Sequence, residues 1–441
     1  MNSKGHITMV GAGLAGPLMA SYLSKHGYSV EIHEKRKDMR LFDQSAGRSI
    51  NLALSRRGMD ALRDIGVLDT IGPMTLPMEG RMIHEIDGST HLQKYGQKSN
   101  EVIYSISRAF LNKTLMDHAE ATGNVNIVFD HPIQGVDLDR SEIIFEDNRL
   151  TYDRLFGSDG SSSQIRDSMD ELSSINFRKD PLDHGYKELT IPPDDEGCYR
   201  MDPKALHIWP RGEFMLIALP NMDHSFTCTL FFPLNGEVSF STMDSSDRIF
   251  EFFSTYFPDT IGLIPDLMDE YQCNPIGKLA TIYCDKWHYK DKVLLFGDAA
   301  HAVVPFFGQG MNASFQDCTV INELIVRFNG DWGEIFSEFS KIQVPNGHAI
   351  ANMALENYIE MRDSVNDPLY KKRRELEFEL EEKFSDRFIP RYSMVSFHDI
   401  PYSKVYERGI MQLNLINEYL SGGISKEKLH ERVLDELPPL K

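Results

Sequence analysis

Gly297-Asp298-Ala299-Ala300-His301, continuing through Pro305-Phe306-Phe307-Gly308-Gln309-Gly310-Met311-Asn312, brings together residue types that bind a polar ligand. An aspartate at a strand end can accept hydrogen bonds from ligand hydroxyls. Glycines let backbone approach a ligand closely, and the N–H groups opening a helix, at the positive end of its dipole, favour negative charge. The flanks agree with this placement. Val293-Leu294-Leu295-Phe296 reads as a buried strand, and apolar residues from Ala313 to Phe328 recur at helical spacing. Alone, the stretch would also suit an ordinary strand-to-helix connection.

A second chemical pattern opens the chain. His6-Ile7-Thr8-Met9-Val10 reads as a strand, Gly11-Ala12-Gly13-Leu14-Ala15-Gly16 as the turn after it, and Pro17 to about His26 as a helix. In that context G-x-G-x-x-G supplies a tight turn, close approach to a pyrophosphate and close helix packing. The next strand, Tyr28 to His33, delivers Glu34, which lies 23 residues after Gly11 and is placed for a ribose hydroxyl. An acid there suits NAD or FAD rather than NADP. Arg36 either reaches the adenosine moiety or lies in solvent. A third strand-turn-helix, Leu155-Phe156-Gly157-Ser158-Asp159-Gly160 into Gln164-Ile165-Arg166, gives three Gly/Asp-bearing strand ends, as a dinucleotide would need.

Other polar residues are less decided by pattern. Arg81-Met82-Ile83-His84-Glu85-Ile86 and Val102-Ile103-Tyr104-Ser105-Ile106 alternate like strands of a half-buried sheet, with Arg81, Ile83 and Glu85 on one face. An arginine in such a strand is more often a surface residue than a ligand clamp, unless a carboxylate substrate is implied independently. Tyr95 shares that ambiguity. Arg108, where a strand meets the helix Ala109 to Ala121, could face a phosphate or make a structural ion pair. Arg48 to Ser55 could run beside a flat ligand or form a plain loop entering a helix at Arg56.

The elements that position these residues are those of an α/β protein. From about Asp180 to Lys278 the texture shifts to long alternating strands, read as a mostly antiparallel sheet inserted between parts of a cofactor domain. Helices follow over Asp331 to Val344, Gly347 to Val365 and Lys371 to Phe384, the last stacking acids at i, i+4 as a solvated face does. The expected organisation is a discontinuous cofactor domain (1–179 and 279–330), a substrate-domain sheet (180–278) and a carboxy-terminal helical region (331–441).

At 441 residues the chain can bury a sizeable core. A net charge of -20 without a long Lys/Arg run argues against nucleic acid or an anionic membrane as partner. The five cysteines are widely spaced with no Cys-x-x-Cys pair, so reduced thiols in a cytoplasmic protein are the simplest account and no metal site is expected. No signal-peptide apolar region opens the chain, and no run of about 18 apolar residues could span a bilayer.

With these residues in view, the chain resembles the FAD-dependent aromatic hydroxylases of the single-component, NAD(P)H-using class. Gly11-x-Gly13-x-x-Gly16 with Glu34, Asp159-Gly160 and Gly297-Asp298 occur in that class's order. Within it, Gly47 to Ser55, Arg81 to His84, His207 to Arg211, Ala218 to Met222, Gly297 to Asn312 and Asn357 to Arg362 are similar to segments of the kynurenine 3-monooxygenase family. The resemblance covers about residues 5 to 400 and is to the soluble bacterial-type forms, without the carboxy-terminal membrane anchor of eukaryotic members. It implies a Rossmann-like FAD-binding domain of the GR2 type. Implied cofactor contacts are Gly11, Gly13, Ala15, Gly16, Glu34, Arg36, Ala53, Arg108, Ile133, Asp298, Gly310, Met311 and Asn312. Implied substrate contacts are Arg81, Tyr95, Asn357 and Tyr392, with Phe306 and Phe307 as an apolar wall.

The reaction so implied is hydroxylation of L-kynurenine to 3-hydroxy-L-kynurenine through a flavin C4a-hydroperoxide, with bound FAD, O2 and transient NADPH. The ring amine activates its own ortho carbon, so no protein group is assigned as a catalytic acid or base. A homodimer is compatible with this reading. The alternatives are a hydroxylase of another aromatic acid, a flavin-binding sensor without turnover, and, least favoured, an NAD-dependent dehydrogenase.

Overall fold

The computed structural model describes residues 4–42, 51–172, 175–362 and 368–440. Gly47 to Ile50 of the motif ending at Ser55, and the expected helix end at Val365, lie outside the described residues. The chain divides into two compact units, Met1–Thr75 with Tyr104–Leu182 and Lys278–Ala354, and Leu76–Ile103 with Asp183–Gly277 and Leu355–Lys441.

The first unit is built on a six-stranded sheet in the order His288–Tyr289, Val293–Leu295, Leu155–Gly157, His6–Val10, Ser29–His33, Val125–Val128. All neighbours run parallel except the edge strand His288–Tyr289. The register aligns Val10 with Gly157 and His33, and Gly157 with Leu295. The three Gly/Asp turns read from the sequence therefore leave the sheet side by side at its carboxyl edge, where open α/β sheets bind ligands. Helices Ala15–Lys25, Arg108–Ala121 and Gly310–Arg327 pack their apolar sides with Ile7, Met9, Ile32, Leu155 and Leu294 in one core. This unit also holds a three-stranded antiparallel ribbon, Gly135–Asp137, Glu142–Ile144 and Arg149–Thr151, and the strand Asn51–Leu54, which pairs antiparallel with residues 104–107.

In the second unit the strands Phe226–Pro233, Phe214–Pro220 and Ala205–Arg211 form an antiparallel series with residues 184–191. Strand Gly80–His84 adds parallel to Ala205–Arg211, and Thr90–Lys94 adds antiparallel at the edge. This pairing draws residues 76–103 into the second unit, where sequence spacing had grouped them with the cofactor domain. Phe214, Phe226, Phe232, Phe252, Phe253 and Phe257 fill the core beneath it. A separate core joins Leu380, Phe388, Ile416, Leu429 and Val433 among the helices Pro368–Lys383, Tyr402–Leu420 and Lys426–Glu436.

Two helix readings change. Residues 332–362 form one helix with Pro345 inside it, where a break was expected between Val344 and Gly347. Its first part is buried with the first unit's core through Ile335, Phe336 and Phe339, which carries the helix past the amide hydrogen that proline lacks. The helix after the central stretch starts at Gly310 rather than Ala313, because its first turn is built from residues without apolar periodicity.

Gly80 sits where neighbouring backbone leaves no room for a side chain. A Cβ at this position would lie 2.4 Å from the Gln93 carbonyl oxygen. Gly80→Ala should therefore push apart the strand that carries Arg81. The expected loss is about 2 kcal/mol, read as a lower urea midpoint with unchanged slope.

Candidate functional site

In the first unit, the turn after His6–Val10 is shaped by close backbone packing. Gly11 has φ +101°, and a Cβ there would lie 2.3 Å from the Ser158 carbonyl oxygen. A Cβ on Gly16 would lie 2.0 Å from the Gly11 carbonyl oxygen, while the Ser158 hydroxyl donates toward the Val10 and Gly11 carbonyls at 3.0 and 2.9 Å. Gly13 differs: a Cβ there would meet nothing within 4 Å. Protein packing demands two of the three glycines, and the third keeps clear a place where a ligand's backbone-hugging pyrophosphate would fit.

Glu34 is only 4% exposed, and its carboxylate accepts from the Ala12 N–H at 2.8 Å, the Arg36 N–H at 2.9 Å and Arg36 Nε at 2.7 Å. Burial alone would raise its pKa, but the Arg36 side chain and these backbone donors outweigh burial and hold it below the ordinary carboxylate value. The Arg36 side chain is 60% exposed, so its guanidinium both neutralises Glu34 and reaches solvent.

The central stretch delivers Asp298 as an exposed residue between buried Gly297 and Ala299, and its side chain makes no hydrogen bond among the described residues. Gly297, at φ +61° and ψ -148°, makes the sharp bend that presents it. Further on, Gly308 (φ +64°) brings its backbone against Ala53, with 3.0 Å between a would-be Cβ and the Ala53 Cβ. Asn312 is fully buried and ties these segments together. Its Oδ1 accepts from the Ser55 N–H at 2.9 Å, and Nδ2 donates to the Ala53 and Gly308 carbonyls at 2.8 and 2.9 Å. Both amide hydrogens are thus committed to the protein. The helix start Gly310-Met311-Asn312 carries no side-chain cap. Phe306 and Phe307 are buried, Ala15, Ala53 and Ile133 half-buried, and Arg108 is exposed at the first position of its helix.

In the second unit, Arg81 is not a surface residue. It is 5% exposed, and its strand is covered on both faces, because His84 stacks on Trp209 at 4.0 Å on one side while Arg81 enters a polar cluster on the other. The guanidinium lies 5.2 Å from the Tyr392 ring centre and 6.0 Å from that of Tyr95, and these two rings stack at 4.8 Å and 7°. Its hydrogen bonds are long, 3.4 Å from Nη2 to Asn357 Oδ1 and 3.4 Å from Nη1 to Glu360 Oε1. The other three expected substrate contacts, Tyr95, Asn357 and Tyr392, are therefore gathered around the buried Arg81 cation.

Burial alone would lower the Arg81 pKa, but the Tyr370 oxygen, the Glu360 carboxylate and the Tyr392 and Tyr95 oxygens outweigh it, and the group stays charged. The buried Tyr95 hydroxyl interacts with the Tyr392 side chain and the Arg81 guanidinium, and burial pushes its pKa well up. Sequence reasoning missed Glu360, Tyr370 and Arg373. Glu360 accepts from the Tyr370 hydroxyl at 2.8 Å and from Arg373 Nη2 at 3.3 Å. The available signal was Glu360 lying three residues after Asn357 on a helix, hence on one face with it.

The folded Glu34 pKa lies below its unfolded value of about 4.3. Its contribution to stability is therefore present above that pH and lost as pH falls through the lower folded value. Glu34→Gln should cost about 2 kcal/mol near neutrality, with the gap to the unaltered protein closing below about pH 4 in urea titrations.

Comparison with known proteins bears on both units. A family model described as an FAD binding domain matches residues 5–178 and 264–333. A kynurenine 3-monooxygenase of Myxococcus xanthus is 43% identical over 425 residues, 95% of this chain and 91% of that protein. The kynurenine 3-monooxygenase of Dictyostelium discoideum is 41% identical over 450 residues, 98% of this chain and 97% of that one. Among solved structures, 2-methyl-3-hydroxypyridine-5-carboxylic acid oxygenase has a similar fold, with a TM-score of 0.67 at 19% identity over 83% of this chain and 95% of that one. Tetracycline destructase Tet(51) gives 0.62 at 17% identity over 87% and 98%. Similarity at that depth across nearly the whole length, with an FAD-binding domain where the three strand-end turns lie, establishes that this chain belongs to the kynurenine 3-monooxygenase family.

Proposed function

We propose that the chain hydroxylates L-kynurenine to 3-hydroxy-L-kynurenine, with FAD as its resident cofactor and NADPH and O2 consumed. The observation that carries this reading is the Arg81 cluster in a member of this family. A buried guanidinium whose bonds to Asn357 and Glu360 are long, beside two stacked tyrosines, has donors to offer a carboxylate in the bidentate geometry arginine favours. Its charge is already matched in part by Glu360, which gives an α-amino acid's ammonium a counter charge in the same cluster. Asn357 and the hydroxyls of Tyr95 and Tyr392 complete a polar anchor for the amino-acid end.

The first unit's residues fit FAD. Glu34 would hold the adenosine ribose, the open place at Gly13 the pyrophosphate, and exposed Asp298 a hydroxyl of the ribityl chain, with the Gly310 to Asn312 helix start favouring negative charge on the flavin. When bound and reduced by NADPH, FAD supplies activated oxygen, one atom of which enters the aromatic ring while the other leaves as water. The protein's share is binding, orientation and exclusion of water, the last assigned to Phe306 and Phe307. Among the described residues no helix is long and apolar enough to cross a membrane.

Purified protein should consume NADPH in a kynurenine-dependent manner and yield a product heavier by one oxygen atom. Consumption without an oxygenated product would turn the search to another aromatic substrate. Arg81→Ala should raise the substrate KM by about 10-fold or more, roughly 1.4 kcal/mol, while FAD stays bound. An unchanged KM would remove Arg81 from the anchor.

A further inference from the structure

A second buried cluster lies behind the Gly297-Asp298 turn, and none of the cofactor contacts accounts for it. Asp317, 1% exposed on helix Gly310–Arg327, accepts from the Gly297 N–H at 2.8 Å and pairs with His301 Nε2 at 2.6 Å through one oxygen. Through the other it accepts from Gln343 Nε2 at 2.8 Å. Gln343 Oε1 in turn accepts from Asn346 Nδ2 at 2.7 Å. Trp287 stacks on the His301 ring at 4.8 Å and 23°. Gly347 admits this stack, since a Cβ there would lie 2.8 Å from Trp287 Cζ2 and 3.1 Å from the His301 Cβ.

A carboxylate removed from water and shared among three donors is costly unless every donor is in place, so its geometry resists change. The donor that matters is the Gly297 N–H. Gly297 holds a positive φ and precedes Asp298, so its orientation decides where the Asp298 carboxylate points. Burial alone would lower the His301 pKa, but Asp317 outweighs it and raises the value, as expected for an imidazolium–carboxylate pair.

We propose that Asp317, braced by His301 and Gln343, is a positioning residue for FAD: it locks the Gly297 turn so that Asp298 is held in place to meet the cofactor. The proposal rests on the FAD reading above and adds residues that touch no ligand themselves. Its effect is on affinity and not on chemistry, so a loss should be reversed by excess FAD.

The test uses purified full-length holoprotein, with FAD release on dilution followed by flavin fluorescence and melting temperature measured alongside. Asp317→Asn should raise the FAD Kd by about 10-fold or more, approaching the loss expected of Asp298→Ala. Saturating FAD should restore the kcat and substrate KM of the unaltered protein. His301→Gln should shift the Kd in the same direction by less, and carries the test if Asp317→Asn does not fold. Ile335→Ala, in the same core but outside this network, should lower the melting temperature and leave the FAD Kd within about twofold. An Asp317→Asn or His301→Gln protein that holds FAD as tightly as the unaltered one overturns the proposal. So does a Kd that rises equally in Ile335→Ala, since the effect would then be general loosening. Unaltered protein that never takes up FAD would overturn the cofactor reading itself, and the proposal with it.

Discussion

A charge taken out of water must be matched where it lies, at a cost of several kcal/mol when it is not. Both units are organised by that constraint. Glu34 is matched by Arg36 and two backbone N–H groups, Asp317 by His301, Gln343 and the Gly297 N–H, and Arg81 by Glu360 with Tyr95 and Tyr392 around it. Each match fixes more than a charge. Glu34 accepts from the N–H of Ala12, which lies between Gly11 and Gly13, so the acid read as a ribose ligand also sets the shape of the glycine turn. Asp317 does the same for the turn before Asp298. Both turns are thereby held by hydrogen bonds from within the protein, the arrangement that electrostatic preorganisation requires.

Local features were legible in the chain because their causes are local. The strand His6–Val10, the glycine turn and the strand ending at His33 follow from short-range patterning and the steric demands of glycine, and they occupy nearly the residues expected. What escaped were features whose causes lie far away. Arg81 alternates like a surface residue, and its burial depends on Asn357 and Glu360, more than 270 residues on. Helix 332–362 reads as two helices because Pro345 is a local breaker, yet burial of Ile335, Phe336 and Phe339 outweighs one lost hydrogen bond. Asp317 and His301 are 16 residues apart across a loop, a spacing that no periodicity marks. The family resemblance supplied Arg81, Tyr95, Asn357 and Tyr392 as a set, which patterning could not.

The degree to which polar groups are satisfied separates scaffold from ligand contacts. Asn312, expected to touch the cofactor, has both amide hydrogens and its carbonyl oxygen engaged by Ser55, Ala53 and Gly308. What it can still offer is backbone. Its side chain is better understood as the clamp that holds strand Asn51–Leu54 against the glycine loop. Asp298, by contrast, is exposed at the end of a buried strand, and the Tyr95 hydroxyl lies buried against Tyr392 and Arg81. By that criterion Asp298 is left open by the protein, Asn312 and Asp317 face the protein, and Arg81, with its two 3.4 Å contacts, lies between: placed by its cluster through long bonds.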